Sequence, residues 1–214
     1  MDIQPSDARP ETVAGVLFDM GGTLYGYTSR LQMGRATPAA LRRLGLDPDA
    51  PDVRAARRLA GKEVARRYSA LPSFLHADLF RDRLTRTLEL LDVRATPEVL
   101  ETFDRENVQA IVEHMPPKPD AADVLAGLAE RGLYRAIVSN ADESWLQPAI
   151  RRHGFDRLLD HWISSEAADS CKPDGAIFAY ALALADLDPA SVLFVGDSVP
   201  HDIVGAHRAG MRTV

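Results

Sequence analysis

The sequence predicts an α/β protein with a doubly wound parallel sheet that carries a helical insertion. Two observations favour the sheet: a short apolar, β-branched run lies at residues 13–18, and similar runs alternate with helical segments over residues 120–214. Such alternation is typical of parallel strands with helices on both faces. A third observation predicts the insertion, because residues 29–115 show helical spacing alone.

The composition is that of an ordinary folded chain. Of the 214 residues, 46% are hydrophobic and 26% are charged, which excludes wholesale disorder. No apolar run approaches the ~20 residues that cross a bilayer, and residues 1–12 lack the basic start and apolar stretch of a signal peptide. A single cysteine, Cys171, excludes an internal disulfide framework. We therefore expect a cytoplasmic protein without a membrane partner.

The net charge is −6, which argues against general nucleic-acid binding because that needs a basic surface. We therefore expect no nucleic-acid partner. Basic residues nevertheless recur every four positions in one predicted helix of the insertion, at Arg54, Arg58, Lys62 and Arg66. This stripe is either a solvated face or a surface that attracts anionic substrates.

The first predicted strand, residues 13–18, ends at Asp19, and Gly21 and Gly22 indicate a sharp turn directly after it. Prolines then divide the helical stretch, in which we predict four helices over residues 37–45, 51–69, 76–91 and 97–114. A Pro-rich segment at 115–119 has the composition of a stiff linker back to the sheet. We assign residues 1–27 and 116–214 to the α/β core and residues 28–115 to the insertion.

The rest of the chain supplies the remaining strands and helices. Strands are predicted at 134–138, 161–163, 192–195 and from residue 212, and helices at 120–131, 142–153, 174–186 and 200–209. The chain ends at Val214 inside the last predicted strand, a pattern that fits both a natural end and a truncation.

Polar residues follow three of the predicted strands. Asp19 comes after the first, Ser139 and Asn140 after the second, and Asp197 after a later one. Each alone fits a turn former or a helix cap. Because ligands of open parallel sheets bind beyond the carboxyl ends of the strands, three such strand ends together with Lys172 favour a site.

Four segments contain these polar residues: FDMGGTL at 18–24, AIVSN at 136–140, CKPDGAIF at 171–178 and VGDSVPHDIVGAHRAGM at 195–211. They resemble the motifs of the haloacid dehalogenase-like (HAD) hydrolase superfamily. The resemblance spans nearly the whole chain and implies a Rossmann-type core. It also implies that the insertion is similar to the small α-helical cap of that superfamily.

The resemblance implies a Mg²⁺-dependent phosphatase that acts on a small phosphorylated metabolite, in which Asp19 is the nucleophile and forms an aspartyl-phosphate. An anionic nucleophile and an anionic phosphate repel one another, so a cation is needed between them. The implied metal ligands are the carboxylates of Asp19 and Asp197 and the backbone carbonyl of Gly21. Asp202 would orient a metal-bound water or ligand.

The same resemblance implies the residues that hold the phosphate. Ser139 would donate its hydroxyl to a phosphate oxygen, and Lys172 would bind the phosphate and balance the carboxylates. Backbone N–H groups at residues 20–22, Gly22 among them, and at Asn140 would add further donors.

The chain departs from the superfamily pattern at Gly21, where phosphatases usually carry an aspartate as general acid and base. Such a group typically contributes about 10²–10⁴-fold in rate. Three explanations fit: another residue takes over, with His201 and residues of the insertion as candidates; the leaving group needs no protonation; or turnover is inefficient.

Two other functions fit the same resemblance. A dehalogenase would attack carbon and need no metal, although Asp197 and Asp202 make chemical sense beside a cation. A non-catalytic descendant would bind phosphate or a partner without turnover. The sequence leaves the substrate and the oligomeric state open.

Overall fold

The computed structural model describes residues 12–26 and 34–214. Over these ranges the centre is a five-stranded parallel sheet in the order β3-β2-β1-β4-β5. The strands are β1 (Gly15–Phe18), β2 (Tyr134–Ser139), β3 (His161–Ser164), β4 (Val192–Val195) and β5 (Arg212–Thr213). The predicted α/β class and its five strands are therefore confirmed, with β1 in the middle.

Within the described ranges, five helices lie between β1 and β2, and three more follow β2. The first four are α1 (Ala36–Arg43), α2 (Pro51–Tyr68), α3 (His76–Leu90) and α4 (Pro97–His114). The others are α5 (Ala121–Glu130), α6 (Glu143–Arg152), α7 (Gly175–Ala185) and α8 (Val204–Arg208). Their ends agree with the predicted ones to within a few residues.

The last predicted helix, over 200–209, differs from the structure in its first turn. Val199–Ile203 forms a π-helical turn, and α8 begins only after it. The N–H groups of Asp202 and Ile203 both donate to the Ser198 carbonyl, at 2.8 and 3.3 Å. This wider turn lies at the carboxyl end of β4, where it carries Asp202.

The sheet separates two apolar clusters because alternate side chains of a strand point to opposite faces. Val16 and Phe18 of β1 pack in one cluster with α5 and α6. Leu17 lies in the other, with α7. All four β1 residues are buried, as expected for a central strand of a covered parallel sheet. The central position of β1 fixes the place of Asp19, the residue that follows it.

Helices α1–α4 have an apolar cluster of their own, which includes Leu41, Leu84 and Phe103. They also rest on the sheet, because Ile111 and Met115 at the end of α4 join the cluster beside α6. We call residues 34–114 the helical insertion.

Two backbone hydrogen bonds tie together the segments that lead into and out of the insertion. Gly26 N–H donates to the Pro116 carbonyl at 2.9 Å, and Lys118 N–H donates to the Leu24 carbonyl at 2.8 Å. Tyr27 and the predicted boundary at residues 27 and 28 lie outside the described residues, and the division into core and cap stays a prediction. Within the described ranges, no helix combines the length and apolarity that a membrane crossing requires.

Candidate active site

The carboxyl ends of β1, β2 and β4 lie side by side and carry the polar residues singled out in the sequence. The register pairs Phe18 with Ile137 on one side and with Val195 on the other. Asp19, Ser139 and Asp197 follow these positions by one or two residues. The three strand ends therefore bring these side chains to one rim of the sheet.

Lys172 lies at the centre of this rim and is almost fully buried. Its Nζ donates to Asp19 Oδ1 and to Asp202 Oδ1, each at 2.6 Å. The Phe194 ring lies beneath the ammonium group, 5.4 Å away. A buried cation needs such paired acceptors, so Lys172 joins the end of β1 to the turn after β4.

Ionising the Asp19 carboxyl group costs free energy at this buried position. Burial raises the pKa of Asp19, Lys172 lowers it through its charge and its hydrogen bond, and the neighbouring Asp202 raises it; the pKa ends above its usual range. Lys172 alone therefore does not compensate the ionised carboxylate. A second cation beside Asp19 would favour the ionised form.

Asp19, Asp197 and Asp202 each place a carboxylate oxygen within 4.8 Å of the others. Both oxygens of Asp202 already accept hydrogen bonds, Oδ1 from Lys172 and Oδ2 from the Ser198 N–H at 2.9 Å. Among the described residues none donates to the Asp197 carboxylate. Asp19 and Asp197 are thus the two carboxylates available to a cation.

Two glycines permit this crowding. At Gly22, where φ is +100°, a Cβ would lie 2.1 Å from Asp197 Oδ2. At Gly196 a Cβ would lie 2.4 Å from the Cβ of Asp202. Gly22 differs from its prediction as a phosphate donor, because its N–H donates to the Tyr25 carbonyl at 2.7 Å and closes a tight turn. Its contribution is the close approach of the chain to Asp197.

The side chain of Asn140 has a role that the sequence did not indicate. Its carboxamide forms two hydrogen bonds with the backbone of Lys172: Oδ1 accepts from the N–H at 2.7 Å and Nδ2 donates to the carbonyl at 3.0 Å. The side chain therefore positions Lys172. The backbone N–H of Asn140 stays a predicted phosphate donor. Ser139, next to it, is buried and lines the same space.

A cavity of about 510 Å³ lies over this cluster, between the strand ends and the helical insertion. All the predicted site residues except Gly22 line it. The opposite wall could not be identified from the sequence; it includes Thr37, His76, Phe80, Arg83, Asn107 and Trp145. One signal was present, since Asn107 is a polar residue one turn after Phe103 on the buried face of α4.

His76 is held against the core by Asp142. One oxygen of the buried Asp142 carboxylate lies 3.2 Å from His76 Nδ1, and the carboxylate accepts the N–H groups of His76 and Ala77 at 2.7 Å each. Burial alone would raise the pKa of Asp142, but these hydrogen bonds lower it below its usual range. Asp142 is therefore an anion that orients the imidazole at the cavity wall.

His201, the candidate named from the sequence, lies at the exposed rim of the same cavity. Its Nδ1 is 3.1 Å from the hydroxyl of Ser198. No buried carboxylate orients its ring among the described residues. Two histidines thus border the same cavity as Gly21, which has no side chain that could transfer a proton. A buried carboxylate orients His76, whereas the ring of His201 contacts the Ser198 hydroxyl.

Comparisons with known proteins agree with this fold. A family model described as haloacid dehalogenase-like hydrolase matches residues 13–210. A ribulose-1,5-bisphosphate 5-phosphatase of Halopiger xanaduensis is 31% identical over 202 residues, which are 93% of this chain and 82% of the relative. Phosphoglycolate phosphatases and (S)-2-haloacid dehalogenases align over shorter stretches, less than half of their own length.

Solved structures show the same architecture. A HAD-hydrolase from Bacillus subtilis, solved bound to magnesium, superposes with a TM-score of 0.72 at 18% identity and covers 94% of this chain and 87% of its own. An L-2-haloacid dehalogenase from Xanthobacter autotrophicus has a TM-score of 0.66 at 28% identity, over 94% of this chain and 76% of its own. The chain therefore belongs to the haloacid dehalogenase-like hydrolase family, and it is a hydrolase of that family.

Proposed function

We propose that this hydrolase is a Mg²⁺-dependent phosphatase that acts on a small phosphorylated metabolite through an aspartyl-phosphate on Asp19. The observation that carries the proposal is the excess of negative charge around the nucleophile. Three carboxylates meet at the rim, and Lys172 is the one buried cation beside them within the described residues. This excess suits a cation and an anionic substrate group together.

The donor set fits Mg²⁺, which prefers oxygen ligands and keeps several waters. The Asp19 and Asp197 carboxylates and the Gly21 carbonyl would hold the ion. The absence of a Cβ at Gly22 leaves room for the Asp197 carboxylate beside them. Asp202 would act indirectly, because its hydrogen bonds with Lys172 and Ser198 fix its orientation. A bound Mg²⁺ would supply charge that screens the nucleophile from the phosphate oxygens.

The chain's own residues then carry the reaction. An oxygen of Asp19 attacks phosphorus, and the bond from phosphorus to the leaving oxygen breaks as the new bond forms. Lys172 and Ser139 donate to the non-bridging oxygens, where negative charge accumulates. Water then attacks the phosphorus of the aspartyl-phosphate, and the bond from phosphorus to the Asp19 oxygen breaks. The proton of the water passes to the group that protonated the leaving oxygen, so that phosphate is released and the Asp19 carboxylate is restored.

The leaving oxygen needs a proton that Gly21 cannot supply. We assign this role to His76, because a buried carboxylate orients its ring and Nδ1 faces Asp142, which leaves Nε2 for the substrate. This is the arrangement of a general acid or base with its orienting partner. His201 is the second candidate, since it borders the same cavity.

A phosphate-release screen over phosphorylated metabolites, with Mg²⁺ and with a chelator, tests the proposal. We expect metal-dependent release that falls to background in Asp19→Asn. Asp120→Asn, an exposed aspartate before α5 without a side-chain capping bond, is the matched control and should keep full activity. Halide release from 2-haloacids without metal would instead establish a dehalogenase. Binding of phosphate esters without any product would establish a non-catalytic descendant.

A further inference from the structure

The cavity has two chemically different ends. The end formed by the strands holds Asp19, Asp197 and Asp202 with one lysine, and it carries net negative charge. The opposite wall, formed by the helical insertion and α6, carries no carboxylate among its described lining residues. Arg83 is the guanidinium in that wall. The volume of about 510 Å³ is that of a site for a whole small molecule rather than for a phosphate group alone.

Arg83 differs from the other arginines of its helix. Arg81 pairs with Asp104, and Arg86 pairs with Glu63 and Glu89, as surface arginines usually do. No carboxylate pairs with Arg83 among the described residues, and its buried Nε atom has no hydrogen-bond partner. A buried donor on a charged group is costly when it is left without an acceptor.

Two further polar groups in the same wall lack partners. The indole Nε1 of Trp145 is buried without an acceptor, in a side chain that is only 8% exposed. Asn107 is 9% exposed, and its carboxamide has no hydrogen bond with any described residue. Arg83, Trp145 and Asn107 therefore line one cavity with donors that nothing in the described chain satisfies.

A basic groove continues from this wall. It has a volume of about 650 Å³ and is lined by Arg54, Arg57, Arg58 and Lys62 of α2, together with Thr37 and Arg83, which also line the cavity. None of these four basic residues that line the groove has an acidic partner among the described residues. Thr37 and Arg83 thus stand where the groove and the cavity meet, and the positive charge extends outward from Arg83.

We propose that Arg83 binds a second anionic group of the substrate, so that the preferred substrates are small phosphate esters whose leaving group carries a carboxylate or another phosphate. This inference rests on the proposed phosphatase function. The phosphate to be cleaved lies at the Asp19 end, and the second anion lies at the opposite wall. A guanidinium binds carboxylate and phosphate oxygens through parallel N–H donors, and Asn107 in the same wall adds a carboxamide donor.

Matched ester pairs test this assignment. 2-Phosphoglycolate and ethyl phosphate differ by one carboxylate, and propane-1,3-diyl bisphosphate and propyl phosphate differ by one phosphate. We expect wild type to prefer the ester with two anionic groups in at least one pair, and the preferred pair identifies the second anion. Arg83→Gln should lower kcat/KM for that ester by at least ~10-fold, because a hydrogen bond to a charged group is lost. It should leave kcat/KM for the ester with a single phosphate group nearly unchanged.

Two control variants sharpen the comparison. Arg86→Gln removes a guanidinium from the same helix whose charge is already paired at the surface, and it should change neither ester. Arg83→Lys keeps the charge and should retain part of the preference. Equal losses for both esters in Arg83→Gln, or a wild type without preference, would overturn the inference while the phosphatase activity stood.

Failure of the proposed function has a different outcome. If no ester is hydrolysed, the phosphatase assignment fails, and calorimetric titration of wild type and Arg83→Gln with 2-phosphoglycolate and ethyl phosphate decides the inference alone. Tighter binding of 2-phosphoglycolate that Arg83→Gln removes would support the anion subsite. Equal binding of the two esters by wild type would overturn it.

Discussion

The Asn140 carboxamide is joined to the Lys172 backbone by two hydrogen bonds, at 2.7 and 3.0 Å. The two residues are 32 positions apart, so the loop after β2 holds the loop before α7. The Lys172 side chain then reaches Asp19 and Asp202 from a fixed backbone. The placement of the ammonium group therefore depends on an amide that does not contact it.

The first prediction is that Asn140→Ala displaces Lys172 without removing it. We expect a loss of about 2 kcal/mol in the free energy of unfolding, because two net hydrogen bonds of about 1 kcal/mol each are removed. Phosphatase activity should fall more than in Asn140→Asp, which keeps the acceptor for the Lys172 N–H. Urea unfolding and steady-state kinetics on both variants measure this. Unchanged stability and activity in Asn140→Ala would contradict the positioning role.

The second prediction separates the two aspartates that follow β4. Asp197→Ala should weaken Mg²⁺ binding more than Asp202→Asn. No described residue donates a hydrogen bond to the Asp197 carboxylate, whereas both Asp202 oxygens accept one. We expect a loss of about 10–100-fold for Asp202→Asn, as for residues that orient a ligand, and a larger loss for Asp197→Ala. Calorimetric titration with Mg²⁺ gives both affinities. A larger loss of Mg²⁺ affinity in Asp202→Asn than in Asp197→Ala would contradict Asp197 as the direct ligand and Asp202 as the indirect one.

The free energy of unfolding should fall more in Asp202→Ala than in Asp197→Ala, the opposite of the order expected for Mg²⁺ affinity. Asp202→Ala would leave the buried Lys172 with one acceptor fewer and the Ser198 N–H with none, at a cost of about 3–5 kcal/mol. Asp197 is exposed at the cavity, so Asp197→Ala should cost much less. Equal destabilisation of the two variants would show that the Asp202 contacts contribute little to the fold.

Much of this architecture could be predicted from the sequence because it depends on local periodicity. The apolar spacing indicated α1–α4, and the polar residues after β1, β2 and β4 indicated the rim that carries Asp19. The wall around Arg83 could not be predicted, because periodicity shows which face of a helix is buried and not what lies against it. The Asn140 to Lys172 bonds likewise depend on two loops that meet only in the folded chain, and the occupied N–H of Gly22 depends on a turn closed by Tyr25.

The third prediction concerns the contact between Asp142 and the start of α3. Because the pKa of Asp142 is lowered in the folded protein, its hydrogen bonds stabilise the fold above the ordinary aspartate pKa, and this stability is lost as the pH falls through the lowered value. Asp142→Asn should therefore cost about 2 kcal/mol at pH 7 and progressively less below about pH 4. Urea unfolding of both proteins between pH 7 and pH 3 measures the difference, and a constant difference would contradict an ionised Asp142.

The fourth prediction concerns the source of the proton for the leaving group. His76→Gln should slow the hydrolysis of ethyl phosphate by about 10²–10⁴-fold, because an alkoxide leaves poorly without a proton. 4-Nitrophenyl phosphate should lose much less, since its leaving group is stable as an anion. His201→Gln should show no such dependence on the leaving group. If the dependence appears with His201→Gln instead, the proton comes from the rim of the cavity.

Gly21→Asp adds the decisive comparison, because it places a carboxyl group where phosphatases that resemble this chain usually carry one. Five described glycines have a positive φ, and Gly21 is not among them, so its backbone does not demand glycine on that ground. In the wild-type background we expect little gain, because His76, the proposed donor, would already protonate the leaving oxygen. In the His76→Gln background we expect Gly21→Asp to recover hydrolysis of ethyl phosphate, with little change for 4-nitrophenyl phosphate. A large gain in wild type would mean that the natural protein has no efficient proton donor. Circular dichroism and Mg²⁺ titration on each variant separate that result from a lost fold or a lost metal.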